Sequence, residues 1–245
     1  MPKQDTSQGK KLAALLKKLA KAHAVEEPPP RDPTLQLVVS FLQWEATRKQ
    51  AEQAIGRLME HMVDVNDLRV SFEQEILELL GEDYPRASER VARMREALND
   101  IYVREHTIEM RSIAEKGKKE QRAYLDSLPG ITPYVAAQVT LLCFGGHAMP
   151  VDQKLIERLA EEGIIPESDT DPQHVENVLL RLVRAEEALE AHLLLQTWAD
   201  DRATRRRAAK KAASRKTTSR SRSATTTRSR TSRTTKKTAR RSRKK

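Results

Sequence analysis

The 245 residues suffice for one globular domain with tails, and charge is divided unevenly along them. Residues 202–245 hold 20 of the 45 Lys and Arg and no acidic residue, so residues 1–201 carry 25 basic against 35 acidic side chains, a net charge of −10. One cysteine excludes an internal disulfide, and no apolar run is long enough to cross a bilayer. We expect an intracellular, cytoplasmic protein with no membrane partner.

Residues 1–33 form a segment of their own in the sequence. Leucines and lysines recur at helical spacing from Leu12 to Leu19, which predicts a short basic amphipathic helix. Such a helix can dock on the domain, contact DNA or lie on a membrane surface. Consecutive prolines then favour a stiff extended linker up to Pro33.

A helical domain is predicted over residues 34–201. Apolar residues recur at helical spacing from Leu35 to Met62, and the pattern runs through residues 44–47, which predicts that Glu45 lies on a helix surface. No segment alternates with the period of a strand, so the sequence predicts an all-α fold.

Three further helices follow from the same periodicity. We expect a short helix over residues 71–80, capped by Ser71 and with Phe72 facing the core. A long helical stretch is expected over residues 88–114, and a last helix is expected to end near Trp198.

The most informative stretch is the turn from Leu128 to Tyr134 between two predicted helices. Pro133 suits the first position of the second helix, where its missing N–H costs nothing. That helix ends before Gly145 and Gly146, and Asp152 stands at the start of the next one. Backbone amides in such a turn can bind an anion the size of a phosphate.

These residues carry a resemblance to a known family. The run Leu128-Pro129-Gly130-Ile131, a helix ending at Phe144-Gly145 and then Pro150-Val151-Asp152 resemble the helix-hairpin-helix glycine/proline-aspartate superfamily of DNA glycosylases. Endonuclease III and the adenine and thymine mismatch glycosylases belong to that superfamily. The resemblance implies two helical lobes with a cleft between them, and double-stranded DNA as the partner.

The resemblance also implies roles for two residues. Asp152 falls on the family's catalytic aspartate, which stabilises positive charge on the sugar or activates water; an ordinary helix N-cap is the alternative. Tyr134 occupies the position of the lysine that forms a Schiff base in bifunctional members, so a β-lyase step is not expected. A buried aromatic is the alternative for Tyr134. The single cysteine excludes the family's cysteine-bound iron–sulfur cluster, the histidines have no ligand spacing, and we expect neither metal nor cofactor.

The chain departs from the family at three places. Thr132 replaces the second glycine of the hairpin, and Glu157 stands where the family has an arginine, with Arg158 next to it. Glu45 stands where a glutamine of the family probes the duplex beside the lesion, and phosphates would repel its carboxylate.

Residues 202–245 are predicted to be a disordered basic tail that neutralises phosphates, as in the histone H1-like bacterial proteins that it resembles. The sequence predicts two sets of nucleic-acid contacts. They are, in the hairpin, Leu128, Gly130, Ile131 and Thr132, and in the tail, Arg205, Arg206, Arg207, Lys210, Lys211, Lys236 and Lys237.

The leading functional expectation is a monomeric DNA-binding protein that acts in base excision as a monofunctional N-glycosylase. Two alternatives stay open. One is a catalytically inactive relative that serves as a nucleoid-associated scaffold, and the other is an RNA-binding protein. The sequence does not identify the lesion, because base selectivity depends on the shape of the pocket.

Overall fold

The computed structural model describes residues 3–201, and these residues form α-helices and connecting turns without a strand. The predicted all-α fold is confirmed. Two hydrophobic clusters make up the core, and the hairpin helix Pro133–Leu142 belongs to both. Its residues Tyr134 and Val139 pack in the first cluster, whereas Ala137 and Leu141 pack in the second. That helix therefore lies between two lobes, each with its own hydrophobic cluster, and packs against both.

The first lobe contains the N-terminal helices of the domain and the first hairpin helix. Asp32 caps the first of these helices by accepting a hydrogen bond from the Thr34 amide, and Thr47 forms a capping box with Gln50 at the next. The helices of this lobe are α2 (Pro33–Gln43), α3 (Arg48–His61), α4 (Val65–Val70), α5 (Glu73–Leu80), α6 (Ala87–Glu105), α7 (Arg111–Ala114) and α8 (Lys118–Asp126).

The second lobe packs the N-terminal helix against the C-terminal ones. Leu12, Leu15 and Leu19 are buried in it, and the Lys11 ammonium donates a hydrogen bond to the Gly163 carbonyl. The amphipathic helix is thus docked on the domain. The helices of this lobe are α1 (Lys3–Ala22), α9 (Pro133–Leu142, shared with the first lobe), α10 (Gln153–Glu161), α11 (Pro172–Leu182) and α12 (residues 188–201), with a 3-10 turn at Ala185–Glu187.

Three expectations about local structure were wrong. Ser71 ends α4, and its hydroxyl donates to the Asp67 carbonyl instead of capping α5. Phe72 is the N-cap of α5 and is 77% exposed, because a residue before the first turn does not share the buried face of the helix. The predicted long helix breaks at His106, which has φ = 55° and separates α6 from α7.

The domain boundary at residue 33 stays a prediction. Within residues 3–201, no helix combines the length and the apolar character needed to cross a membrane.

Candidate functional site

The side chains of the hairpin between α8 and α9 stabilise the fold through burial and helix capping. Leu128 is buried, and the Thr132 hydroxyl, also buried, caps α9 by accepting a hydrogen bond from the Val135 amide. Gly130 has φ = 73°, and a Cβ there would lie 2.7 Å from the Arg93 carbonyl oxygen of α6. The glycine is therefore required both by its left-handed conformation and by its contact with α6. Contacts of Leu128 or Thr132 with DNA would have to use their backbone.

Asp152 lies at the N-terminus of α10, as the sequence predicts, and is 4% exposed. Its Oδ1 accepts a hydrogen bond from the Leu155 amide at 3.0 Å, so the residue caps the helix. Its Oδ2 lies 3.2 Å from the Nζ of Lys154. The N-cap interpretation is thus correct, but the cap does not account for the ion pair with Lys154.

Lys154 connects the two lobes. Its ammonium contacts Asp200 of α12 at 3.1 Å and donates to the Ala46 carbonyl, in the turn between α2 and α3, at 2.6 Å. Burial lowers the pKa of Lys154, but Asp152 and Asp200 outweigh burial and raise it above its ordinary value. Lys154 is therefore protonated at neutral pH. Asp200 also accepts a hydrogen bond from the Arg48 amide at the start of α3, at 2.7 Å.

Tyr134 and Asp152 line the same small cavity, although they come from different helices. The Tyr134 hydroxyl is buried and lies within hydrogen-bond distance of the side-chain amides of Gln138 and Gln196. Burial raises the pKa of Tyr134 well above its ordinary value, so the phenol is neutral. The cavity measures about 10 Å³, on the order of what one water molecule needs. It would have to open to admit a nucleobase.

His192 of α12 also lines this cavity and is 2% exposed. Burial lowers its pKa to about 3, so the ring is neutral. Its Nε2 has no hydrogen-bond partner within the described part of the chain. The ring therefore offers a polar atom to a small molecule that enters the cavity.

Glu45 is not on a helix surface, and that expectation was wrong. It lies in the turn between α2 and α3 with φ = 59°, and its Oε1 accepts a hydrogen bond from the Gln153 amide at 3.0 Å. Gln153 is the first residue of α10 and directly follows Asp152. Burial, followed by the negative charge of Asp152, raises the pKa of Glu45. Two carboxylates therefore meet at the N-terminus of one helix.

The predicted site residues are thus only partly brought together. Asp152 and Tyr134 share a cavity, whereas Gly130 and Ile131 lie half-buried in the hairpin turn. The tail residues that the sequence predicts as contacts lie outside the described residues. Sequence reasoning missed Lys154, His192 and Asp200 and misplaced Glu45. Of the three missed residues, only Lys154 had a signal in the sequence, its closeness to Asp152. No group of three or more His, Cys, Asp or Glu side chains within residues 3–201 is arranged to hold a metal ion.

No family model and no curated protein matches this sequence. Solved structures do match the fold. Endonuclease III in a trapped covalent intermediate with DNA has a TM-score of 0.61 at 19% identity, over 80% of this chain and 85% of that one. A thermostable thymine-DNA glycosylase has a TM-score of 0.55 at 15% identity, over 80% of this chain and 86% of that one.

A third structure is the 8-oxoguanine glycosylase/lyase of Clostridium acetobutylicum in complex with double-stranded DNA. It has a TM-score of 0.60 at 16% identity, over 80% of this chain and 70% of that one. At these identities the likeness establishes the fold alone. The chain has the two-lobed, all-α fold of the helix-hairpin-helix DNA glycosylases.

Proposed function

We propose that this protein binds double-stranded DNA and excises a base from it as a monofunctional N-glycosylase. The observation that carries the proposal is Asp152, a buried carboxylate at the N-terminus of α10 that lines one cavity with Tyr134. A carboxylate in that place can stabilise the positive charge that develops on the sugar as the base leaves. The shared fold with DNA glycosylases supports the same proposal.

The proposal includes no lyase step, and two side chains at the cavity support this. Tyr134 stands where a Schiff-base lysine would be needed, and the ammonium of Lys154 is protonated between two carboxylates. A protonated amine is not a nucleophile. Borohydride should therefore trap no covalent complex with abasic DNA through the hairpin motif or Lys154.

A second candidate is a catalytically inactive DNA-binding relative. It is favoured by Lys154, whose ammonium pairs with Asp152, and by the small size of the cavity. In that case DNA binding alone would be the activity.

A screen against duplexes with deaminated, oxidised, alkylated and mismatched bases tests excision, and Asp152→Asn tests the role of Asp152. Asparagine is a comparable N-cap, but the ion pair with Lys154 is lost, so stability should fall by about 1–3 kcal/mol. Base release should fall further, by roughly 3 kcal/mol or more in the barrier. Asp171→Asn is the matched control, because Asp171 caps α11 and accepts from the Gln173 amide. An Asp152→Asn variant as active as the control would contradict the assignment.

DNA binding is tested by removing residues 202–245, which hold 20 cations and no acidic side chain. The truncated protein should bind every duplex more weakly and show a flatter dependence of log affinity on log salt, because fewer counterions are released. Unchanged affinity and slope would exclude the tail as the DNA anchor.

A further inference from the structure

The N-terminal helix α1 has two opposite faces. One face is apolar and packs against the C-terminal helices of the domain; its buried leucines are Leu12, Leu15 and Leu19. The other face is exposed and carries Lys10, Lys17 and Lys21. Their spacing of seven and four residues places these lysines within about 40° of each other around the helix, and roughly 180° from the leucines. We call these three residues the lysine face.

The lysine face has no carboxylate nearby in the sequence to neutralise it. Residues 6–25 contain no Asp or Glu. Within the described part of the chain, none of the three ammonium groups makes a hydrogen bond or an ion pair. By contrast, α6 pairs its Arg93 with Glu89 four residues earlier. The lysine face is therefore a row of unpaired cations on a domain whose residues 1–201 carry a net charge of −10.

Burial of the leucines limits what this helix can bind. A helix that lies on a membrane inserts its apolar face between the lipids, but the apolar face of α1 is already packed against the domain. The face that remains is a row of ammonium groups about 16 Å long, at 1.5 Å per residue. Each strand of DNA carries a phosphate about every 3.4 Å, so the row has the length of roughly five phosphates.

The surface beside these lysines is open enough for a phosphate backbone to approach. It forms a shallow depression of about 390 Å³, lined by Ala14, Lys17, Lys18, Lys21 and Ala22. The alanines are small, so no bulky side chain separates the ammonium groups from a partner. Lys18 adds a fourth exposed cation at the edge of the lysine face.

The helix α1 runs toward the candidate site. Near its start, Lys11 donates to the Gly163 carbonyl, beyond the C-terminal end of α10. Just after its end, His23 lies 3.9 Å from Asp201. Asp201 directly follows the aspartate of α12 that pairs with the ammonium group at the N-terminal end of α10. Lys21 is therefore the member of the lysine face that lies nearest the candidate site.

We propose that the lysine face of α1 binds the phosphate backbone of double-stranded DNA, as a contact separate from the hairpin and the basic tail. This rests on the proposed DNA binding but not on the excision of a base. A duplex bound at the candidate site extends beyond it, and the lysine face continues from Lys21 away from that site. Contacts to phosphates carry no sequence information, so the lysine face adds affinity for damaged and undamaged duplexes alike.

The test replaces the whole lysine face by glutamine in the full-length protein, as Lys10→Gln, Lys17→Gln and Lys21→Gln together. Glutamine keeps a long polar side chain with a helix propensity close to that of lysine, so α1 should stay folded. The matched control removes the same charge at three other exposed positions, Arg111→Gln, Lys116→Gln and Lys119→Gln. These positions lie on α7 and around the start of α8, at the end of α8 away from the hairpin.

Titrations of a fluorescent undamaged duplex at several salt concentrations measure the slope of log affinity against log salt. Each lost phosphate contact flattens this slope by about 0.9, so the variant should be flatter than the parent by about 2.7. Its affinity in 0.1 M salt should be lower by roughly tenfold or more, whereas the control should keep the slope of the parent to within about 0.9. A variant with the same slope as the control would overturn the assignment.

Acetylation of exposed lysines in the parent protein, with and without duplex, locates the contact without any substitution. Mass spectrometry reports the rate at each amine. Saturating duplex should slow the acetylation of Lys17 and Lys21 severalfold and leave Lys116 and Lys119 unchanged. Equal protection of all four lysines, or protection of none, would also overturn the assignment.

Two further outcomes separate this proposal from the proposed function. A parent protein that binds no duplex overturns the proposed DNA binding and the role of the lysine face together. A parent that loses affinity when residues 202–245 are removed, but not when the lysine face is replaced, overturns the role of the lysine face alone. Vesicles of phosphatidylglycerol and phosphatidylcholine probe a membrane instead. A variant that loses vesicle binding but keeps the affinity of the parent for DNA overturns the assignment.

Discussion

Lys154→Met is the most direct perturbation of the contact between the two lobes. Methionine has a similar length but no charge, so the change removes three interactions, those with Asp152, with Asp200 and with the Ala46 carbonyl. The side chains of Asp152 and Asp200 are only 5% and 14% exposed. Both carboxylates would then be buried without their cation.

The magnitude follows from this burial. Removing one partner of a buried ion pair typically costs about 3–5 kcal/mol, because the remaining charge stays uncompensated. For a domain of this size a loss of 1 kcal/mol lowers Tm by roughly 2–4 °C, so Tm should fall by roughly 6–20 °C. Lys49→Met, at an exposed position on α3, is the matched control and should change stability by less than about 0.5 kcal/mol.

The stability deficit of Lys154→Met should depend on pH, with a predicted direction of change in alkali and in acid. The folded pKa of Lys154 is raised above 10.5, so its contribution to parent stability is full below 10.5 and is lost as pH rises through the folded pKa. Burial raises the pKa of Asp200 above 3.8, and loss of the ammonium would raise it further. The deficit of the variant should therefore be largest near neutral pH and should narrow in acid and in strong alkali.

Urea unfolding of parent, variant and control between pH 4 and 11 measures this deficit. A deficit below about 1 kcal/mol at pH 7, or one that widens as pH falls, would refute the argument that Lys154 compensates two buried carboxylates.

Two further substitutions test residues that hold the hairpin and the turn between α2 and α3 in place. Gly130→Ala should destabilise the protein by about 2–4 kcal/mol in urea unfolding, because φ = 73° is strained for alanine and its Cβ would overlap the Arg93 backbone. Gly56→Ala, on α3 with open space around its Cβ, should instead be neutral or stabilising. Arg90→Met should cost about 2–4 kcal/mol in the same assay, since it leaves three backbone carbonyls without their donor, and an unchanged midpoint would contradict that role.

The sequence contains most of the information for the hairpin and little for the contact between lobes. Pro133 at the start of α9 and Asp152 at the start of α10 follow from local rules, because caps and first-turn prolines act within a few residues. Glu45 was misplaced because apolar residues continue at helical spacing on both sides of the turn. Nothing local marks a glutamate as left-handed, and Arg90, which holds the turn, comes from a distant helix.

Asp200 was missed for a related reason. It lies near the end of α12, where the periodic pattern stops, and only the folded chain brings it to Lys154 and to the Arg48 amide. Phe72 shows the opposite error, since an apolar residue at helical spacing was placed in the core although it precedes the first turn of α5. Periodicity identifies helices well but does not fix their ends, and the candidate site is made of helix ends.

Asp200 also affects the net charge around Asp152, because both carboxylates pair with Lys154. Asp152 and Asp200 share one ammonium, so the three ionised groups Asp152, Asp200 and Lys154 together carry a net charge of −1. Asp200→Asn leaves Lys154 to pair with Asp152 alone and brings that sum to zero, while an amide oxygen can still accept from the Arg48 amide. If the proposed excision depends on negative charge near the sugar, this variant should release the base about tenfold more slowly, which corresponds to roughly 1.4 kcal/mol. Asp201→Asn, its exposed neighbour, should match the parent in the same single-turnover assay. Equal rates for the two variants would mean that Asp200 acts only through the fold.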